Sequence, residues 1–382
     1  MKKLLFYLSC VFLIFCAFAN SPDWGFFGHR KINRMAVFTL PQELLGFYKK
    51  NIEYITAHAV DPDKRRYALK NEFARHYIDI DHWDTLPFNN VPKNLDAAAM
   101  KFGHLIAISK NDTIEITVPD SLKRKFYFEN VFVSRYSSIT PISTDSLNTY
   151  FPEMANWSNF NFVYFDNKLV QYGIHPYFLE EFYNRLVKYF YKKDLKMVLK
   201  ISADIGHYIS DGHVPLHTTE NYNGQLTNQV GIHAFWESRL PELFADESYD
   251  FVVGKAEYIP DMKSYIWDFI AESHALLEDV LRIEQELKLE YPQDQQFCFE
   301  ERLEVTTRIQ CEEFSRAYHE RLGGMVEKRM QDAILAVGSF WYSAWVEAGQ
   351  PDLGTVNELE DEVEKELEDA YQSGNIYGRK HD

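Results

Sequence analysis

Two short motifs between residues 207 and 237 carry six side chains of metal-binding type: His207, Asp211, His213 and His217, then His233 and Glu237. Two pairs, His207/Asp211 and His233/Glu237, are spaced i,i+4. On a helix that spacing puts both side chains on one face, one turn apart. An imidazole beside a carboxylate makes half of a zinc site. One such pair arises easily by chance; two, with His217 between them, point to the core of a zinc centre.

The elements that must position these residues are legible nearby. A helix is predicted from Pro176, a good first-turn residue, to about Tyr191. A second starts at Asp194, a plausible N-cap, and carries Leu195, Val198, Leu199, Ile205 and Ile209, with His207 and Asp211 at its end. Gly212 and Pro215 stop it, so Pro215-Leu216-His217 is a loop that can fold His217 back. Gly231-Ile-His233 opens another helix, through Trp236 and Glu237 to about Leu240. Residues 262–287 and roughly 303–348 read as long amphipathic helices. In the latter Leu322, Met325, Val326, Ile334, Val337, Trp341 and Trp345 form a core stripe, which Gly323-Gly324 breaks or kinks.

Residues 83–170 differ. Ile114 to Val118 and Phe126 to Val133 read as β-like, amid Asn, Ser, Asp and Pro punctuation. This predicts an insertion with little helix, a β-hairpin or lid. The expected class is mainly α: a multi-helix bundle with an irregular or β-containing insertion.

The chain opens on Met-Lys-Lys, an apolar run and Ala17-Phe18-Ala19, which reads as a signal peptide over 1–19 and a secreted or periplasmic protein. One domain is then expected over 20–350, with an acidic tail over 351–382. The run Glu358 to Asp369 reads as a solvated helix or disordered tail. Beyond the signal, Cys298 and Cys311 can pair if geometry allows; spacing alone leaves that open. Net charge is −17, and losing Lys2 and Lys3 would make it −19 (−17 − 2). That is the opposite of a general nucleic-acid footprint, so an anionic substrate must be attracted locally, as by bound zinc.

Two upstream elements complete the set: Trp24-Gly-Phe-Phe-Gly-His29, and Asp61-Pro-Asp63-Lys64-Arg65 followed by Arg75-His76-Tyr77-Ile78-Asp79. With the downstream pairs, this order resembles the zinc-dependent phospholipases C and the single-strand-specific nucleases of the S-one/P-one type, over roughly 24–82 and 176–245. The resemblance implies their multi-helix fold and three zinc ions. Asp61, His76 and His207 would hold the first, with Asp61 also orienting the attacking water. Asp211 would bridge to the second, which His29 and the Trp24 backbone would also hold. His217, His233 and Glu237 would hold the third. Asp61 is preferred over Asp63 because it stands fifteen residues before His76, as the resemblance requires. Asp63, Asp79 and Asp204 are then candidates to support the imidazoles from outside.

The resemblance also implies that Tyr77 stacks on a base and Asp79 hydrogen-bonds it. Lys64 stands where the nucleases tend to have a phosphate-supporting arginine, and Arg65 beside it can substitute. In the family the tryptophan is the mature N-terminus, whereas here Asn20 to Asp23 separate it from the expected cleavage site. The five-residue step from Trp24 to His29, His76-Tyr77-Ile78-Asp79 and Trp236 to Pro241 lean toward the nucleases; Glu237 in place of Asp leans toward the phospholipases. The expected partner is single-stranded nucleic acid or nucleotides, alternatively phospholipid, and no stable protein partner is implied. His58 is expected to be structural and His213 to sit at the rim.

Overall fold

The structure, a computed structural model, describes residues 26–110, 112–153, 157–302, 305–354 and, further on, residues 367, 370, 371, 376, 377 and 379. The segment read as a signal peptide, Trp24 and nearly all of the acidic run lie outside the described residues.

The molecule is mainly helical. Its centre is a pair of helices, α4 (His175–Lys192) and α5 (Leu195–Gly212). Lys193, left-handed at φ 56°, and Asp194 join them, and the Asp194 carboxylate accepts the Met197 amide as N-cap. Against this pair pack α1 (Phe26–Ala36) and the long α10 (Met325–Glu347). Around them lie α2 (Gln42–Lys50), α3 (Asp61–Ala68), α6 (Leu240–Ser248), α7 (Met262–Ala275), α8 (Leu277–Glu290) and α9 (Glu312–Arg321). One continuous core fills the space between, and the predicted stripe lies in it with Trp341 fully buried. Trp341 stacks on Tyr48 at 4.7 Å and donates its Nε1–H to the Ser202 carbonyl.

Helix α1 approaches α5 closely because position 206 is glycine. A Cβ there would lie 1.9 Å from Asn33 Oδ1. Asn33 instead donates to the Ala203 carbonyl at 2.9 Å, which joins the two helices through a buried hydrogen bond. This approach sets His29 of α1 against His207 of α5, with ring centroids 3.9 Å apart.

The insertion holds more helix than expected, with Leu95–Phe102, Asp120–Asn130 and Thr144–Tyr150 helical, and its β part is a sheet rather than a single hairpin. Strands β1 (His104–Ile108), β2 (Thr113–Ile116), β3 (Ile139–Pro141) and β4 (Phe162–Asp166) form an antiparallel sheet in the order β2-β1-β4-β3. Leu105 faces Ile116 on one side and Phe165 on the other. These side chains and helices Asp120–Asn130 and Thr144–Tyr150 enclose a second, smaller core. Phe126 to Val133 is therefore not a strand: Pro119 and Asp120 start a helix that buries Phe126 and Tyr127.

Two other readings are corrected. Residues 305–310 are not helical; β5 (Phe297–Arg302) and β6 (Val305–Gln310) pair antiparallel as a hairpin, closed by a Cys298–Cys311 disulfide with Cα atoms 4.9 Å apart. The long helix begins only after the Gly323-Gly324 break, where φ is 60° and 84°. Among the described residues no helix is long and apolar enough to cross a membrane.

Candidate metal centre

Five elements bring these candidate ligands together at one end of the central pair. Helix α5 carries His207 and Asp211 in its last turns, and His29 comes from α1. His76 follows the turn Phe73–Arg75. His233 and Glu237 come from Ile232–Ala234, which passes through a π-helical turn, Phe235–Arg239, into α6. Such turns recur at functional sites. His217 folds back as expected, on the turn Pro215–Thr218.

Asp211 stands between two groups of imidazoles. Its Oδ2 lies 2.9 Å from His76 Nδ1 and 3.4 Å from His207 Nε2. Its Oδ1 lies 3.6 Å from His29 Nε2 and 4.0 Å from His217 Nε2. Glu237 also reaches two ways, 3.5 Å to His29 through Oε1, and through Oε2 3.4 Å to His217 and 2.7 Å to His233. The set forms overlapping buried clusters able to hold metal: His76/His207/Asp211, His217/His233/Glu237, His29/Asp211/Glu237 and His29/Asp63/His207.

The tautomers suit metal binding. His207 Nδ1 donates to the Ala59 carbonyl, His217 Nδ1 to the His76 carbonyl and His233 Nδ1 to the Tyr222 carbonyl. The Ser210 hydroxyl is within donating distance of the Gly206 and His207 carbonyls, which leaves its oxygen to accept from His29 Nδ1. In each case the Nε2 lone pair turns to the carboxylates, as in histidines held by an outer acceptor around a metal. Most Nε2–carboxylate gaps, 3.4 to 3.9 Å, are longer than a good hydrogen bond. They approximate the edge of a tetrahedron with ~2.1 Å bonds, which is about 3.4 Å. His76 is turned differently: its Nδ1 faces Asp211, and its Nε2 is buried without a hydrogen-bond partner.

The electrostatics ask for a cation. Burial alone would raise the Asp211 carboxyl, but His207 and His217 outweigh it and hold it well below the usual range. Burial is likewise overcome at Glu237 by His217 and His233, and at Asp63 by His207, His76 and His29. His207, which burial would lower, is pushed up to about 9 by Asp211 and Asp63. The same carboxylates that raise His207 favour any cation at this point, and a metal ion held there would compete with a proton for its Nε2.

The structure corrects the choice between the two aspartates. Asp61, at the first position of α3, turns back to His58 Nδ1 at 2.7 Å. Asp63, one position beyond Pro62, faces His207 at 3.6 Å, His76 at 3.7 Å and His29 at 3.9 Å. The arginine beside the centre is Arg66, whose Nη1 lies 3.4 Å from Asp63 Oδ1, not Lys64 or Arg65. Lys64 is half-buried on α3, and Arg65 pairs with Asp204 and Glu72 away from the metal set. Asp204 and Asp79 therefore do not support the imidazoles; backbone carbonyls and Ser210 do.

His213 is buried rather than at the rim: it donates to the Ile209 carbonyl and stacks on Phe269 at 4.6 Å. Tyr77 and Asp79 are both buried beside the centre. Tyr77 and Tyr222, the latter missed by sequence reading, both meet the Arg379 guanidinium, whereas Phe26 lies against Tyr371. No family model, curated protein or solved structure matches the chain. The buried His/Asp/Glu groups can hold a metal ion.

Proposed function

We propose that the chain is a zinc-dependent phosphoric diester hydrolase acting on single-stranded nucleic acid or nucleotides. The observation that carries this reading is the set of four imidazoles, each fixed by an outer acceptor: His29, His207 and His217 turn Nε2 to three shared carboxylates at tetrahedral-edge distances, and His233 turns its Nε2 to Glu237 at 2.7 Å. Mixed imidazole and carboxylate donors suit zinc. When bound, zinc supplies a Lewis acid that activates water and neutralises phosphate charge.

The chain's own residues do the rest. Asp211 and Glu237 each tie two ligand groups together and so fix their separation. Arg66 offers a guanidinium next to the ligands, the geometry that holds a phosphate oxygen. Tyr77 and Tyr222 offer aromatic walls and Asp79 a carboxylate, the features of a base-stacking slot.

One observation favours a lipid substrate instead. Leu226 and Val230 are exposed on the loop between Tyr222 and His233, where they could touch a membrane surface. The test is zinc content by elemental analysis, together with hydrolysis of single-stranded DNA, RNA and phosphatidylcholine vesicles. About three zinc ions per chain and cleavage of the nucleic acids are expected. Asp211→Asn should lose most of the zinc and the hydrolysis together. A zinc-replete, active variant would refute the assignment, and cleavage of phosphatidylcholine alone would replace the substrate.

A further inference from the structure

The slot beside the metal centre is filled by the chain itself. The Arg379 guanidinium carbon lies 3.6 Å from the Tyr77 ring centroid and 4.6 Å from that of Tyr222. Its Nη1 donates to Asp79 Oδ1 at 2.8 Å, and its Nη2 donates to Asp79 Oδ2. The backbone is held as well. Arg66 Nη2 donates to the Arg379 carbonyl, and the Tyr377 amide donates to the Arg66 carbonyl at 3.0 Å. Upstream, Tyr371 meets Tyr67 edge-on at 5.0 Å and tilts against Phe26 at 5.9 Å.

The slot walls are tied to the metal set. Tyr77 follows His76 in the chain, and the Tyr222 carbonyl accepts from His233 Nδ1. Arg66 bridges directly, with one arm toward Asp63 and the other on the Arg379 carbonyl.

We propose that Arg379, with Tyr377, is a self-inhibitory strap: it occupies the Tyr77–Tyr222–Asp79 slot and Arg66, and must leave before substrate enters. Only the identity of what enters rests on the nucleotide reading; the strap itself does not. The chemistry is matched. A guanidinium is planar, stacks on aromatic faces and presents two parallel donors to a carboxylate. Guanine also is planar, and its N1–H and 2-amino group make the same pair of donors. A ligand with that edge meets a slot already closed, so its apparent affinity falls by the fraction of time the slot is open.

The test uses the full chain with Arg379→Ala and Arg379→Lys variants. Guanosine is the probe, because without a phosphate it reads the slot and not the metal. Calorimetry gives its affinity, and hydrogen exchange follows the peptide containing Tyr377. Arg379→Ala should bind guanosine roughly tenfold more tightly and lose protection at Tyr377, with Arg379→Lys between it and the wild type. Unchanged protection in Arg379→Ala overturns the strap, whatever guanosine does. Lost protection with unchanged guanosine affinity overturns the competition. If neither protein binds guanosine, the nucleotide reading of the slot fails. The strap is then decided by exchange alone, and stands only if Arg379→Ala frees Tyr377 while the distant Arg282→Ala does not.

Discussion

At the scale of single residues, the two aspartates of Asp61-Pro-Asp63 separate function from support. Asp63→Asn removes a carboxylate facing three imidazoles. It should lower zinc affinity and hydrolysis by roughly 100-fold, at least what losing an outer-shell partner costs. Asp61→Asn breaks only the His58 pair and should leave zinc content near wild type. Elemental analysis of the two purified variants decides, and the reverse ranking would restore Asp61 as ligand. Ser210→Ala is the finer probe. It removes the acceptor that fixes the His29 tautomer and should cost about 10- to 100-fold in zinc affinity without touching a ligand. Half of the ligand set, His207, Asp211, His233 and Glu237, was legible because its i,i+4 spacing is a helix property; His217 stood between the pairs, and His29 and His76 were named only through the resemblance in motif order. Asp63 was not, because the fifteen-residue step to His76 selected Asp61, whereas which aspartate faces the imidazoles is set by where α3 begins: a shift of two residues turns a side chain to another face. The Asp63/Arg66 pair, one helical turn apart, was the signal that would have favoured it.

At the scale of elements, the centre depends on how closely α1 and α5 cross. Gly206→Ala puts a methyl group 1.9 Å from Asn33 Oδ1, so the Asn33 amide must turn away and give up its bond to the Ala203 carbonyl, or one helix must shift. Overpacking of this kind costs about 1–3 kcal/mol. Because His29 and His207 sit on the two helices, zinc affinity should fall along with the urea midpoint; a lower midpoint with unchanged zinc would uncouple crossing from site. The hairpin supports the opposite side. Arg239, two residues after Glu237, donates to Glu300 of β5 at 3.2 Å and to the Gln310 carbonyl of β6. Opening the Cys298–Cys311 link by a double Ser substitution should lower unfolding stability by about 3 kcal/mol through loop entropy. An unchanged denaturant midpoint would show that the hairpin is held by its ladder alone. Helices α4 and α5 were readable from Pro176, the Asp194 cap and Gly212, which are local signals. The hairpin was not, since charged residues at 300–302 obscure its alternation and its partner face is set by distant Arg239. In the insertion, Phe126 and Tyr127 were read as strand because apolar runs carry little period information until the surface they pack on is known.

At the scale of the whole molecule, the field and the proposed substrate oppose each other. The chain carries a formal charge of −17, and three dications would still leave it strongly negative. A long single strand must approach through that repulsion before the local attraction of a filled metal centre is felt. Screening lengths are ~30 Å at 0.01 M salt and ~10 Å at 0.1 M, so added salt removes the long-range repulsion before the contact attraction. The expected signature is an inverted salt dependence. The kcat/KM for a single strand of about 20 nucleotides should rise roughly threefold between ~0.01 and ~0.1 M sodium chloride, while that for a dinucleotide changes much less. Proteins that grip nucleic acid through a basic groove show the opposite, a steep fall with salt from counterion release. A steep fall here would mean that a cationic path leads to the centre and overrides the net charge. A rise would mean that recognition is confined to the metal centre, Arg66 and the aromatic slot, where the strap competes for the same contacts.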